Sequence, residues 1–318
     1  MPFRQIYVPS LERNLSVCMA APSSSAAADT HEAGLRAYHL AGGNSLHLHG
    51  EGGELHSRQA AGAWLQAHSL RKAFFLCTQI CHDDWDESAQ RSIDRFTPQA
   101  VRQDIAENLH LIGTDVLDMV YLDDRPPLPF EPVIEAVHRE IASGRVRSFG
   151  VRNFTPERLR AAHRFAKETL GQGIAAVITT ELSLFTANAP LWPEYIPFDA
   201  ALQQAVLELG VVVLAHAGDL TLGQCLFGDA ESGTVWRPEW VARWQHPDNT
   251  AIAARIQETA AILESTPRAI QMAWLLNQPF QVIAILPLPS FQTEIGRQYA
   301  RGTQILLEDA KRLPRKQL

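Results

Sequence analysis

Short apolar runs alternate with amphipathic stretches along most of the chain. Ala73 to Ile80 (AFFLCTQI) has the continuous apolar character of a strand buried on both faces. Thr97 to Gly113 follows with a Thr-Pro start, helical spacing of its apolar positions and a terminal glycine. Asp118 to Leu122 predicts a strand, Phe130 to Gly144 a helix with a glycine stop, and Val146 to Val151 a strand. Thr155-Pro156 opens the next helix. Ala175 to Thr179 and Val211 to Ala215 predict later strands, Pro267 to Leu276 a helix, and Val282 to Leu286 a last strand. Strands apolar throughout and separated by helices imply a parallel sheet covered by helices, and a strand number near eight favours closure into a barrel. Asp219 to Asn249, rich in Trp and Pro, lacks periodicity and predicts a long loop at the C-terminal face of the strands.

Composition narrows the function classes. The chain has 318 residues, 46% hydrophobic and 20% charged, as an ordinary globular enzyme has. Its net charge of −7, without a long basic run, argues against nucleic acid and against an electrostatic membrane anchor. Four scattered cysteines without a CxxC predict reduced thiols and a cytoplasmic setting. Met1 to Leu15 has no apolar signal segment, and no apolar run reaches transmembrane length.

Several segments resemble the aldo-keto reductase family, in order. Ala41-Gly42-Gly43-Asn44 is similar to the AGGN before that family's second strand, and Ser57 to Leu65 to its helix SExxLGxWL. Ser143 to Phe154 (SGRVRSFGVRNF) resembles EGKIRAIGVSNF, Glu181 to Leu184 the sixth-strand motif, and Ala273 to Phe280 the segment AWLLxQPF. The resemblance implies a (β/α)8 TIM barrel of the aldo-keto reductase type, one domain over 1–318 with a long loop around 219–250.

That family uses Asp, Tyr, Lys and His for NADPH-dependent hydride transfer, and the chain departs at each. His47 stands for Asp, with Gly52 at the Tyr position; a register slipped by three would instead place Asn44 and His49 there. Gln79 replaces Lys and Asp123 replaces His. No lysine lies between Lys72 and Lys167, and no tyrosine between Tyr38 and Tyr121, so no small shift restores either. Tyr121 itself reads as packing. Cofactor positions differ too: Arg152 stands for the Ser of GVSNF while Asn153 and Phe154 remain, Thr179 replaces Gln, and His216 stands where an aromatic ring stacks on nicotinamide. Ala284 to Gly296 holds no basic residue for a 2′-phosphate; Arg297 is the first, inside a helix.

These departures predict loss of NADPH binding, with weak NADH binding or a metal left open. His47, His49, Gln79 and Asp123 become the candidate catalytic set, and Arg152, Asn153, Glu181 and His216 the candidate substrate-binding set, for a small-molecule ligand. A His–Asp pair at strand ends suits general acid–base chemistry near neutral pH. The histidines can equally be satisfied core residues or part of a metal set, Asp123 and Asp124 can form a turn with Arg125, and Arg152 either meets an anionic ligand or makes an internal ion pair. The first expectation is a non-redox lyase, isomerase, dehydratase or cyclase. The alternatives are a non-catalytic pseudoenzyme that binds a ligand or protein, or a divergent NAD(P)-dependent aldo-keto reductase. Trp236, Trp240 and Trp244 recur at helical spacing, as packing or as an aromatic platform.

Overall fold

The computed structural model describes residues 2–22, 28–48, 55–86, 90–189, 195–217, 223–227 and 237–305. In chain order these form β1 (Gln5–Val8), β2 (Arg13–Ser16), β3 (Cys18–Ala21), α1 (Ala28–Leu40), β4 (Ser45–Leu48), α2 (Leu55–Ala67), β5 (Phe75–Ile80), β6 (Asp84–Asp86) and β7 (Arg91–Ile93). There follow α3 (Pro98–Ile112), β8 (Leu117–Asp123), α4 (Glu131–Ala142), β9 (Val146–Arg152), α5 (Pro156–Leu170), β10 (Ala176–Thr179), α6 (Ala200–Leu209) and β11 (Val212–His216). The last elements are α7 (Pro238–Trp244), α8 (Pro247–Ile262), α9 (Pro267–Leu276), β12 (Val282–Pro287) and α10 (Glu294–Gly302).

Eight of these strands close a parallel barrel in the order β3, β4, β5, β8, β9, β10, β11, β12, with β12 returning to β3. Alternate side chains point to opposite faces of a strand. Met19, Cys77, Met119, Ile178, Leu214 and Ile285 fill the interior, and Leu46, Leu76, Val120, Val151 and Val213 pack outward beneath the helices. This two-sided burial explains why the strands read as unbroken apolar runs. The antiparallel β1–β2 hairpin adds Val8 and Leu15 to the interior cluster and plugs the barrel's N-terminal end.

Helix boundaries follow the signals in the sequence. Thr97 caps α3 by accepting from the Ala100 N–H, and Gly113 ends it at φ 68°, a conformation that favours glycine. Thr155, Asp199 and Thr266 cap α5, α6 and α9 the same way. Two expectations need correction. β8 and β9 each run one residue further than the apolar pattern, through the polar Asp123 and Arg152. The supposed loop at 219–249 contains α7 and the start of α8, both opened by a proline in the first turn (Pro238, Pro247).

Candidate active site

The polar strand ends meet inside the C-terminal mouth of the barrel, where barrel active sites lie. Parallel register places them. Gln79 of β5 pairs with Tyr121 of β8, and Asp123 of β8 with Arg152 of β9. Tyr121 and Asp123, two apart, share the inward face with Met119 below them. His47 of β4 is fully buried, stacked on Tyr121 at 5.3 Å between ring centres, and stands edge-on to His216 of β11 at 5.1 Å. His216 is half-buried at its strand end.

Asp123 and Arg152 form a buried, bidentate ion pair. Nε and Nη2 of Arg152 each donate to one Asp123 oxygen at 2.5 Å, and Gln79 Nε2 donates to the same carboxylate at 3.2 Å. The Tyr121 hydroxyl donates to Gln79 Oε1 at 3.4 Å. Burial works against the guanidinium's charge, but Tyr121 and Asp123 beside it outweigh burial and hold its pKa above the ordinary arginine value. The guanidinium also lies 5.7 Å from the ring centres of Tyr121 and Tyr195.

This arrangement changes the roles expected of several residues. The His–Asp pair does not form. The partners of Asp123 are Arg152 and Gln79, because Arg152 is its neighbour in the sheet register whereas His47 lies two strands away. Of the two readings of Arg152, the internal ion pair is the one observed. Asp124 points the other way, into a bidentate pair with Arg158 at 2.6 and 2.7 Å, and accepts from the Arg125 N–H at 2.9 Å. Glu181 is held by Arg243 of α7 at 3.0 Å, whose guanidinium rests 4.8 Å over Trp244. Asn153 adopts φ 60°, and its Oδ1 accepts from the Ile196 N–H at 3.4 Å. Trp244 is buried against Phe185 as helix-face packing. His49, Gly52 and Trp236 lie outside the described residues.

Tyr121 and Tyr195 belong to the cluster and were not anticipated as site residues. For Tyr121 the signal was present: it shares strand parity with Asp123. Tyr195 stands in a segment without periodicity, and nothing local marks it. Among the described residues no group of three His, Cys, Asp or Glu side chains converges as a metal site. No helix among them is long and apolar enough to cross a membrane.

Comparison with known proteins bears on this mouth. The family model described as "Aldo/keto reductase family" matches residues 31–189. The chain belongs to that family. It is similar to "Aldo-keto reductase str7" of Strobilurus tenacellus, 26% identical over 277 residues, 79% of this chain and 70% of the relative. It is also similar to "Aldo-keto reductase yakc [NADP(+)]" of Schizosaccharomyces pombe, 23% identical over 248 residues, 73% of this chain and 65% of the relative. The fold is shared with the glycerol dehydrogenase AKR11B4 of Gluconobacter oxydans, at TM-score 0.72 and 17% identity over 96% of this chain and 93% of that one. An aldo/keto reductase of Klebsiella pneumoniae in complex with NADP and acetate shares it too, at TM-score 0.66 and 18% identity over 99% and 97%.

These findings overturn two expectations. The relatives are named reductases, one for NADP(+), and a fold neighbour holds NADP, so neither a non-redox enzyme nor a pseudoenzyme is the reading that stands, nor is loss of the cofactor. Arg297 sits in the first turn of α10, with its side chain 78% exposed. Its contact is a surface pair with Glu294 at 3.1 Å, a bond weak enough for a phosphate to displace.

Nicotinamide can be tested against the residues present. Asn153 Nδ2 has no partner among the described residues and is a free amide donor at the mouth. His216 offers a half-exposed aromatic ring at the end of β11. Among the described residues no side chain caps the first turn of α10, and Arg297 there would hold a phosphate in place of Glu294. These residues fit the group.

Proposed function

We propose that the protein is a nicotinamide-dependent oxidoreductase of the aldo-keto reductase type, reducing a small carbonyl compound or oxidising the corresponding alcohol. The observation that carries this reading is the connected polar cluster at the strand ends, His47, Gln79, Tyr121, Asp123, Arg152 and His216, in a family whose aligned relatives are reductases. The bound cofactor supplies a hydride. Asn153 would hold the carboxamide, His216 would lie against the ring, and Arg297 with the start of α10 would hold the 2′-phosphate.

The chain's own residues supply the rest. Reduction of a carbonyl leaves negative charge on its oxygen, which must be stabilised and then protonated. His47 and His216, in edge contact, are placed to carry that proton, in the role the family gives a tyrosine. The Tyr121 ring supports His47 from below, and its hydroxyl fixes Gln79. Gln79 and Asp123 in turn fix Arg152. His49 belongs to the proposed set through its position two residues beyond His47.

The test is titration of the protein with NADPH and NADH, followed by tryptophan fluorescence, and assay of NADPH oxidation with aldehydes. Low-micromolar NADPH binding with turnover is expected, and R297E should weaken NADPH by about tenfold while sparing NADH. Absence of binding to either nucleotide contradicts the proposal.

A further inference from the structure

Arg152 leaves one of its nitrogens unused. Nε and Nη2 bind Asp123, while Nη1, with two N–H groups, meets no partner among the described residues, although the side chain is only 9% exposed. A second arginine of this barrel shows what full engagement looks like. Arg71 donates from Nε to Thr114 Oγ1 and from Nη1 to the Phe74 carbonyl. Its Nη2 donates to the Val116 carbonyl and to Asp118. Arg71 spends all three nitrogens on the fold. Arg152, at the C-terminal end of β9, keeps one.

The charges around that donor decide what it suits. Asp123 already balances Arg152 within the buried pair, so the spare N–H groups belong to a unit of no net charge. An anionic substrate would bring a second carboxylate near Asp123 with one guanidinium shared between them. A neutral carbonyl brings no such repulsion, and its oxygen becomes negative only as hydride arrives at carbon. Stabilisation confined to the transition state raises turnover without tightening ground-state binding.

We propose that Arg152 Nη1 is the donor that holds the reacting oxygen, and that the substrates are uncharged carbonyl compounds. This rests on the oxidoreductase reading above. Hydride from the reduced nicotinamide forms the new C–H bond. The π pair of the C=O bond moves onto oxygen, facing Nη1, and the imidazole pair gives that oxygen its proton. The carbonyl is reduced to an alcohol as the nicotinamide is oxidised. Arg152 in this role is a catalytic residue; Asp123 and Gln79 are positioning residues.

The experiment compares para-carboxybenzaldehyde with its methyl ester as probes, with NADPH, in the wild type, R152K and R152Q. The wild type should favour the ester in kcat/KM by about tenfold. R152Q should lower kcat on the ester by about a hundredfold, with KM and the fluorescence-measured NADPH affinity close to wild type. R152K, which keeps the charge but not the fork, should fall between them. If R152Q does not fold, D123N/R152Q removes both charges together, and the same kcat loss is expected of it. Preference for the acid, or full kcat in the folded Arg152 variant, overturns the proposal and leaves the oxidoreductase reading intact. Wild-type protein that oxidises NADPH with neither probe overturns both.

Discussion

The two ends of strand β8 each carry a buried aspartate paired with arginine, and they are built differently. At the N-terminal end, Asp118 meets Arg13 of the plug hairpin at 3.1 Å, Arg71 at 2.9 Å and Arg147 of β9 at 3.4 Å. It also accepts from the Leu76 N–H at 3.0 Å. These contacts tie hairpin, helix connection and two barrel strands to one carboxylate. At the C-terminal end, Asp123 meets one arginine and one amide, and that arginine retains a donor. The lower end is a fastening. The upper end is a preorganised donor, consistent with the division of barrel enzymes into a stabilising face and a reacting face.

Breaking the lower end should have the largest effect on folding. Asp118→Ala removes the buried carboxylate that half-buried Arg13 and Arg71 share, and should lower unfolding free energy by about 2–3 kcal/mol, as read by denaturant melts. Turnover per folded molecule should stay near wild type; a parallel fall in kcat would erase the contrast. Asp123→Asn should do the reverse. Its amide oxygen still accepts from Arg152, so stability should fall by about 1–2 kcal/mol, while kcat drops by about tenfold or more as the fork loses its anchor. Equal losses of stability in the two variants would show that the upper pair is a fastening too.

The smallest effect concerns pH. His138 and His163, outside the barrel, have pKa values lowered from 6.5, in both cases chiefly by burial. The unfolded chain therefore binds protons first on acidification, and the stability these residues confer when neutral is lost as pH falls below about 6.5. Thermal midpoints should decline from pH 7 towards pH 5. His138→Gln and His163→Gln should flatten that decline without moving the pH profile of kcat. A shifted kcat profile would connect the shell to the mouth.

The barrel was legible because parallel strands buried on both faces read as apolar runs, and because Thr-Pro and glycine signals mark α3, α5 and α9. Asp123 and Arg152 were legible one at a time as polar residues at strand ends. Their pairing was not, since it depends on the register between β8 and β9, which neither segment specifies alone. Tyr121 was read as packing because it lies in an apolar run, although its parity with Asp123 put it on the same face. In α7 the four-residue spacing of Trp240 and Trp244 was the one helical signal, and seven residues are too few for it to define the element's bounds. That Arg297 is exposed was not legible either, since its position within α10 depends on where that helix starts, and the first turn leaves its side chain 78% exposed.

Hydride transfer is the activity proposed for this mouth. The most direct measurement incubates the protein with NADPH deuterated at C4 of the nicotinamide and the methyl ester of para-carboxybenzaldehyde, then analyses the product by mass spectrometry. The expected product is the corresponding alcohol carrying deuterium at the former carbonyl carbon, formed by the wild type and sharply reduced in R152Q. An alcohol without deuterium, or no alcohol at all, would contradict it.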